Sequence, residues 1–104
     1  MNDTEDTDGS MDNYIYLFKA LSNPIRLKII ALCSKRSMTS KELRSILGIS
    51  KPLLLAHLKI LIKAGLIRYE VEVDSERGII RKKYRATDIK LCIDNNVIQK
   101  IVGQ

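Results

Sequence analysis

The sequence predicts a mainly α-helical domain that carries a β-hairpin. Two observations set the element types: apolar residues recur three or four apart up to about residue 62, and the apolar period then drops to two between residues 67 and 86. A third sets the architecture, because a helix cap, a glycine stop and a second cap follow one another around Gly48.

The chain has 104 residues, 45% of them apolar, which suits one domain with its own core. Residues 1–12 are read as a disordered acidic tail and residues 13–104 as the folded domain. Before Met11 the tail has only Met1 as an apolar residue, too little to order itself.

Ile15, Leu17, Phe18 and Leu21 mark a short first helix. Asn23 can cap the next one, and Pro24 fits its first turn, where no amide donor is needed. Leu27, Ile30 and Ala31 supply its predicted stripe, with Cys33 and Ser34 near its end. Thr39-Ser40-Lys41-Glu42 has the form of a capping box. The helix it starts runs through Leu43, Ile46 and Leu47 and stops at Gly48. Ser50 then caps another helix, with Leu54, Leu58, Leu61 and Ile62 as the buried stripe and Gly65 at its end. Two short helices joined by so tight a turn form a helix-turn-helix.

Beyond Gly65, Ile67, Tyr69, Val71 and Val73 alternate with charged residues. Asp74 to Gly78 reads as a hairpin loop, after which Ile80, Tyr84 and Ala86 continue the inward face. Pairing Val73 with Ile80 sets Glu72 opposite Arg81 and Glu70 opposite Lys83, so apolar and charge pairing agree on one register. Lys82 falls on the inward face and is expected to reach out to its edge. Thr87 or Asp88 is the expected cap of a last helix bearing Ile93, Val97 and Ile101.

The net charge of +6 conceals an asymmetry. Residues 1–13 hold five acids and no base, which leaves 18 bases and seven acids, a formal +11, on the other 91 residues. A compact domain that basic points to nucleic acid. One histidine and two distant cysteines build no zinc-type motif, and no pair of catalytic groups converges at any motif, so neither a metal cofactor nor an enzyme is expected. No run of about 18 apolar residues is present, and the N-terminus is unlike a secretory signal. Cysteine usage points to the cytoplasm with both thiols reduced.

The string from Leu17 to Ile30, LFKALSNPIRLKII, resembles the start of ArsR-type winged-helix repressors. Similar stretches follow at Leu47-Gly48-Ile49-Ser50-Lys51-Pro52, His57-Leu58-Lys59-Ile60-Leu61 and Ala64-Gly65-Leu66-Ile67, so the resemblance spans about residues 14–86. It implies a winged helix-turn-helix, a homodimer built by the first and last helices, and DNA binding by the helix at 50–64 with the hairpin as a wing. Metal-sensing members carry Cys around the helix occupied here by Lys41-Glu42-Leu43-Arg44, or His and acidic ligands on the C-terminal helix, and this chain has neither. Arg44 also replaces the small residue such motifs often hold at the helix contact; it either reaches outward or holds the helices slightly apart.

These readings give a set of expected DNA contacts. With Leu54 inward, the helix presents Ser50, Lys51, Pro52, Leu55, Ala56 and Lys59. Lys51 suits a guanine edge or a phosphate, while Leu55 and Ala56 suit thymine methyls, which leans each half-site towards A·T. The alternative for Leu53 and Leu55 is cover for the core or for a protein partner. Lys41, Lys59 and Lys63 are candidate phosphate contacts, and Arg77, Arg81 and Lys83 are the wing's candidates, with simple pairing to Glu70 and Glu72 as the alternative. A regulator of this kind is expected to meet an imperfect palindrome; the rivals are a protein-binding winged helix and a nonspecific DNA coater.

Tyr14, Leu17 and Phe18 with Ile93, Val97 and Ile101 are the expected dimer interface, since together they are too apolar for a free surface. His57 reads as a partly buried packing residue able to touch a phosphate, rather than a pH switch. Cys33 and Cys92 read as small apolar side chains, although Cys92 stands where an intersubunit disulfide is conceivable. The acidic tail either solubilises the chain or competes with DNA for the basic face.

Overall fold

The computed structural model describes residues 11–103. The expected disordered tail falls almost wholly outside them, and its last two residues, Met11 and Asp12, open the first helix. Helix α1 spans Met11–Leu21 and α2 spans Pro24–Lys35. Asn23 caps α2 as expected, its Oδ1 accepting from the amides of Ile25 and Arg26 at 2.9 and 3.1 Å.

The buried face of α2 differs from the expected one. Ile29 and Cys33 are sealed, whereas Leu27 is 50% exposed and Ala31 is also exposed. Apolar residues occur almost all round this helix, so spacing alone does not choose a face. Arg26 does, by turning inward to bond the end of α1.

Helix α3 (Ser40–Leu47) carries the full capping box: Thr39 Oγ1 accepts from the Glu42 amide at 3.2 Å, and Glu42 Oε1 accepts from the Thr39 amide at 2.9 Å. Gly48 ends it in the left-handed region at φ 67°, which a side chain would disfavour. Helix α4 (Lys51–Lys63) starts three residues on, its Leu53 amide bonded to Ser50 Oγ at 3.3 Å. The chain bends by 111° between α3 and α4, within the range of a helix-turn-helix. Leu43 from α3 and Leu54, Leu58 and Leu61 from α4 enter the core, but Ile46 stays 54% exposed.

Strands β1 (Ile67–Asp74) and β2 (Ile79–Ala86) pair antiparallel in the expected register, with Val73 opposite Ile80, Glu72 opposite Arg81 and Glu70 opposite Lys83. Asp74 Oδ1 accepts from the amides of Glu76 and Arg77, both at 3.2 Å, and Gly78 at φ 66° completes the turn. Met38 adds a backbone bridge to Tyr84, with N–O distances of 2.9 and 2.7 Å, a one-residue pairing too short to leave a sequence pattern.

The inward face is only half used. Ile67 and Tyr84 are buried at the root, while Val71, Val73 and Ile80 are 55, 62 and 70% exposed. Lys82 is exposed, and its Nζ sits 4.5 Å from the centroid of the Tyr69 ring.

The last helix starts later than expected. Thr87 donates its hydroxyl to Gly65 O at 2.7 Å and its amide to Leu66 O at 3.0 Å, tying down the hairpin root instead of capping a helix. Helix α5 is Asn95–Val102, and Asp94 caps it by accepting from the Val97 amide at 2.8 Å. The two asparagines therefore lie in its first turn, where the helix's amides need no internal partner. Helix α5 packs on α1 and buries Ile101.

Candidate nucleic-acid interface

The N-terminal half of α4 is held at the surface by its own buried stripe. Because Leu54, His57, Leu58 and Leu61 face the core, Lys51, Pro52, Leu55, Ala56 and Lys59 are left exposed. Ser50 is exposed too, its oxygen already occupied by the cap. Across from this surface lies the hairpin. Between the two runs a cleft of about 540 Å³ whose lining includes Lys41, Lys51, Leu55, Ile80, Arg81 and Lys82. Lys41, Lys51, Leu55 and Arg81 are thus brought together as the sequence suggests, and Ile80 and Lys82 join them without having been expected there. A groove of about 360 Å³ continues past Leu55 to Lys59, Ile62 and Lys63.

Lys63 departs from the others. Its Nζ lies 5.1 Å from the Tyr16 ring centroid, which turns it towards α1. It is also twelve residues beyond Lys51, roughly 18 Å along the helix.

The wing's cations are paired, though weakly. Glu72 takes both Arg81 (Nε to Oε1, 3.9 Å) and Lys83 (Nζ to Oε2, 3.5 Å), so Lys83 turns to the diagonal carboxylate rather than to Glu70 opposite it. At the tip, Arg77 Nε is 3.9 Å from Asp74 Oδ2, on a side chain 72% exposed. Exposed pairs of this length contribute well under 1 kcal/mol, roughly, so these cations can exchange their partners for phosphates.

Arg44 neither reaches fully into solvent nor finds a partner at Nε, which is buried without a hydrogen bond. Glu42 stands between the Thr39 amide and Arg36, whose Nη1 is 3.2 Å from Glu42 Oε2, and these two hold its carboxyl below the usual range.

His57 is a packing residue, as expected. It is 8% exposed, and its Nδ1 lies 3.2 Å from Arg26 Nη1. Burial, and then the Arg26 charge, push its pKa down, so the ring is neutral and Nδ1 accepts. The same guanidinium donates from Nε to Ala20 O at 2.8 Å and from Nη2 to Lys19 O at 3.0 Å, binding the end of α1 to α2 and α4. This positioning role of Arg26 is missed by the sequence reading. The basic residue just after the Asn23-Pro24 cap, four residues before an apolar one, was its only signal.

Cys33 is buried and its thiol is pushed up to about 11, consistent with a packing residue, while Cys92 is exposed. Among the described residues no group of three or more His, Cys, Asp or Glu stands together as metal ligands would. No single helix among them is long and apolar enough to cross a membrane.

A second surface forms on the α1 side. The Tyr14 and Phe18 rings meet at 6.1 Å, Leu17 packs against the core, and Ile93 remains 45% exposed. Val97 is half-buried and Ile101 is already covered within the chain. Met11, Ile15, Leu91, Ile98 and Val102 add apolar side chains that the sequence reading did not include, each at least 40% exposed.

Known proteins resemble the chain over most of this fold. The family model for bacterial regulatory proteins of the arsR family matches residues 23–69. An uncharacterized HTH-type transcriptional regulator of Methanocaldococcus jannaschii is 36% identical over 83 residues, which is 80% of this chain and 85% of that protein. Among solved structures, the transcriptional repressor BigR of Xylella fastidiosa is similar at a TM-score of 0.60 and 28% identity, over 76% of this chain and 72% of that one. A homodimeric winged helix-turn-helix DNA-binding domain of Mycobacterium bovis is similar at 0.58 and 25%, over 72% of this chain and 64% of that one. HlyU of Vibrio cholerae, at 0.62 and 24% over 88% of this chain and 86% of that one, shares the fold.

Proposed function

We propose, on the premise that the chain belongs to the arsR family of DNA-binding transcription regulators, that it acts as a homodimeric repressor on an imperfect palindrome. One observation carries the reading: Lys41 and Lys51 from the helix-turn-helix and Arg81 and Lys82 from the wing border a single cleft with Leu55 in its wall. A cationic cleft beside an exposed helix N-terminus suits a phosphodiester strand held while the helix enters the major groove.

In this reading the cations fix the register and α4 reads the bases. Leu55 and Ala56 pack on thymine methyls, and Lys51 and Lys59 reach phosphates or a guanine edge. Lys83 and Arg77 extend the contact along the hairpin once their surface pairs open. Lys63, turned to Tyr16, serves the α1 junction instead.

Dimerisation uses the apolar surface of α1, the segment before α5, and the free face of α5, with Tyr14, Phe18 and Ile93 at its centre. The homodimeric Mycobacterium bovis domain supports that assembly by likeness, and the BigR repressor supports repression. A two-fold axis would set the two α4 helices in successive major grooves, about 34 Å apart. Repression follows by occlusion of a promoter that overlaps the site, and the cytoplasm, where promoters are reached, is the proposed compartment.

Light scattering on the free protein, together with footprinting on duplexes it retains from random DNA, tests the proposal. A dimer mass and one protected stretch with two-fold symmetry are expected. A monomer that protects no defined stretch would favour a protein-binding module, and uniform protection would favour a nonspecific coater.

A further inference from the structure

Apart from Lys82, one face of the hairpin is apolar nearly to its tip, yet the fold uses only the root. Ile67 and Tyr84 are sealed, and the backbone bridge to Met38 stops at Tyr84. Further out, Val71, Val73 and Ile80 lie 55, 62 and 70% exposed, with Val73 and Ile80 directly opposite one another. β-branched residues favour a strand, but that preference alone asks for no apolar surface, since threonine satisfies it.

One residue of this face, Ile80, reaches the proposed DNA cleft. It lines the same cleft as Lys51 and Leu55, so a duplex seated in that cleft would lie against Ile80 as well. Arg81 and Lys82 follow it in sequence, and Arg77 stands on the intervening turn. Apolar side chains gain nothing from phosphates. Bordered by basic ones, they suit the minor groove, where such residues press between base steps, partly unstack them and bend the duplex.

We infer that Val73 and Ile80 form a wedge that seats in the minor groove beside the stretch read by α4, so that the chain selects flanks that open easily and bends them. The inference rests on the DNA-binding reading and adds a specificity determinant to it. Pyrimidine–purine steps such as T-A unstack at least cost, so the wedge favours T-A steps in the flank although no hydrogen bond reads them.

The test uses synthetic duplexes that share one core, taken from sites the protein selects out of random DNA. One set has T-A steps in the flanks and the other G·C pairs. Affinity is read by fluorescence anisotropy and bending by energy transfer between dyes on the duplex ends. Ile80→Thr and Val73→Thr keep the β-branch, and unchanged thermal unfolding verifies that the hairpin persists.

The wild-type chain should bind the T-A flanked duplex about tenfold more tightly than the other and bend it. Each variant should lose most of that preference and the bend, with a several-fold larger loss of affinity on the T-A flanked duplex than on the G·C-flanked one. Variants that keep the full preference, or that lose equal affinity for both duplexes, would overturn the wedge, as would a wild-type chain indifferent to the flanks. Failure of the wild-type chain to bind either duplex would overturn the DNA-binding reading, and the wedge with it.

Discussion

Arg26 Nη1 lies 3.2 Å from His57 Nδ1, and this contact joins the helix after the first turn to the helix proposed to read DNA. Neutral imidazole is required at that position, because a protonated Nδ1 would face the guanidinium with a hydrogen of its own. Since Arg26 also bonds the Ala20 and Lys19 carbonyls, the orientation of α4 depends on a residue outside that helix.

This contact predicts an acid sensitivity. His57 has a lowered pKa in the folded chain, so below about 6.5 the unfolded chain takes up the proton first. Stability should be constant above that pH and fall as pH drops from there towards the folded-state pKa. Urea unfolding from pH 8 to pH 5 should show the midpoint declining only over the lower part of the range. His57→Gln should flatten that decline, and a wild-type midpoint that rises on acidification would contradict the neutral ring.

Arg26→Met keeps the stem and removes three hydrogen bonds to carbonyls and the ring. Bonds of this charged kind contribute roughly 1.5–3 kcal/mol each, unequally and not additively, so a total loss of about 2–4 kcal/mol is expected. Chemical denaturation measures it directly. A loss under about 0.5 kcal/mol, the size of an ordinary surface change, would show that the clamp is idle.

Thr39→Ala removes the hydroxyl that accepts from the Glu42 amide and should cost about 1 kcal/mol. Glu42, held below the usual carboxylate range mainly by the Thr39 amide and then by Arg36, contributes stability that is complete above about pH 4.5 and lost as pH falls below it. Both effects are readable as shifts in the thermal midpoint.

Binding should weaken steeply with salt. If about six phosphates are neutralised per dimer, the slope of log affinity against log salt is near −5. Lys51→Ala and Arg81→Ala should each make the slope shallower by about one unit for every phosphate that is no longer neutralised, twice that per dimer. Lys63→Ala, whose ammonium faces Tyr16 in the wild-type chain, should leave the slope unchanged.

Leu55→Ala should act differently from the lysine variants. It removes an apolar contact rather than charge, so the salt slope stays while discrimination for A·T at the half-site centre falls by about 1 kcal/mol. Equal binding to every duplex, before and after the substitution, would remove Leu55 from the readout.

Elements announced by local chemistry were legible in the sequence. Asn23, the Thr39–Glu42 box, Gly48 and Ser50 each act within a few residues, and all four cap or stop a helix where the sequence suggests. The wing register was legible because apolar and charged pairs agreed. Features set at longer range were not. The face of α2 depends on Arg26 finding carbonyls on another helix. Thr87 is diverted from capping by the Gly65 carbonyl, twenty-two residues away. The bare tip of the hairpin follows from where the bridge to Met38 ends, which alternation cannot reveal. For the cleft, Lys41, Lys51, Leu55 and Arg81 could be nominated by their outward positions, but Ile80 and Lys82 sit on the face assigned to the core.

Selection of bound duplexes from random DNA bears most directly on recognition by α4. Enrichment of two A·T-leaning half-sites, inverted about a centre and one helical turn apart (about 34 Å), is the expected result. A bound pool with no motif enriched over the starting library would contradict it.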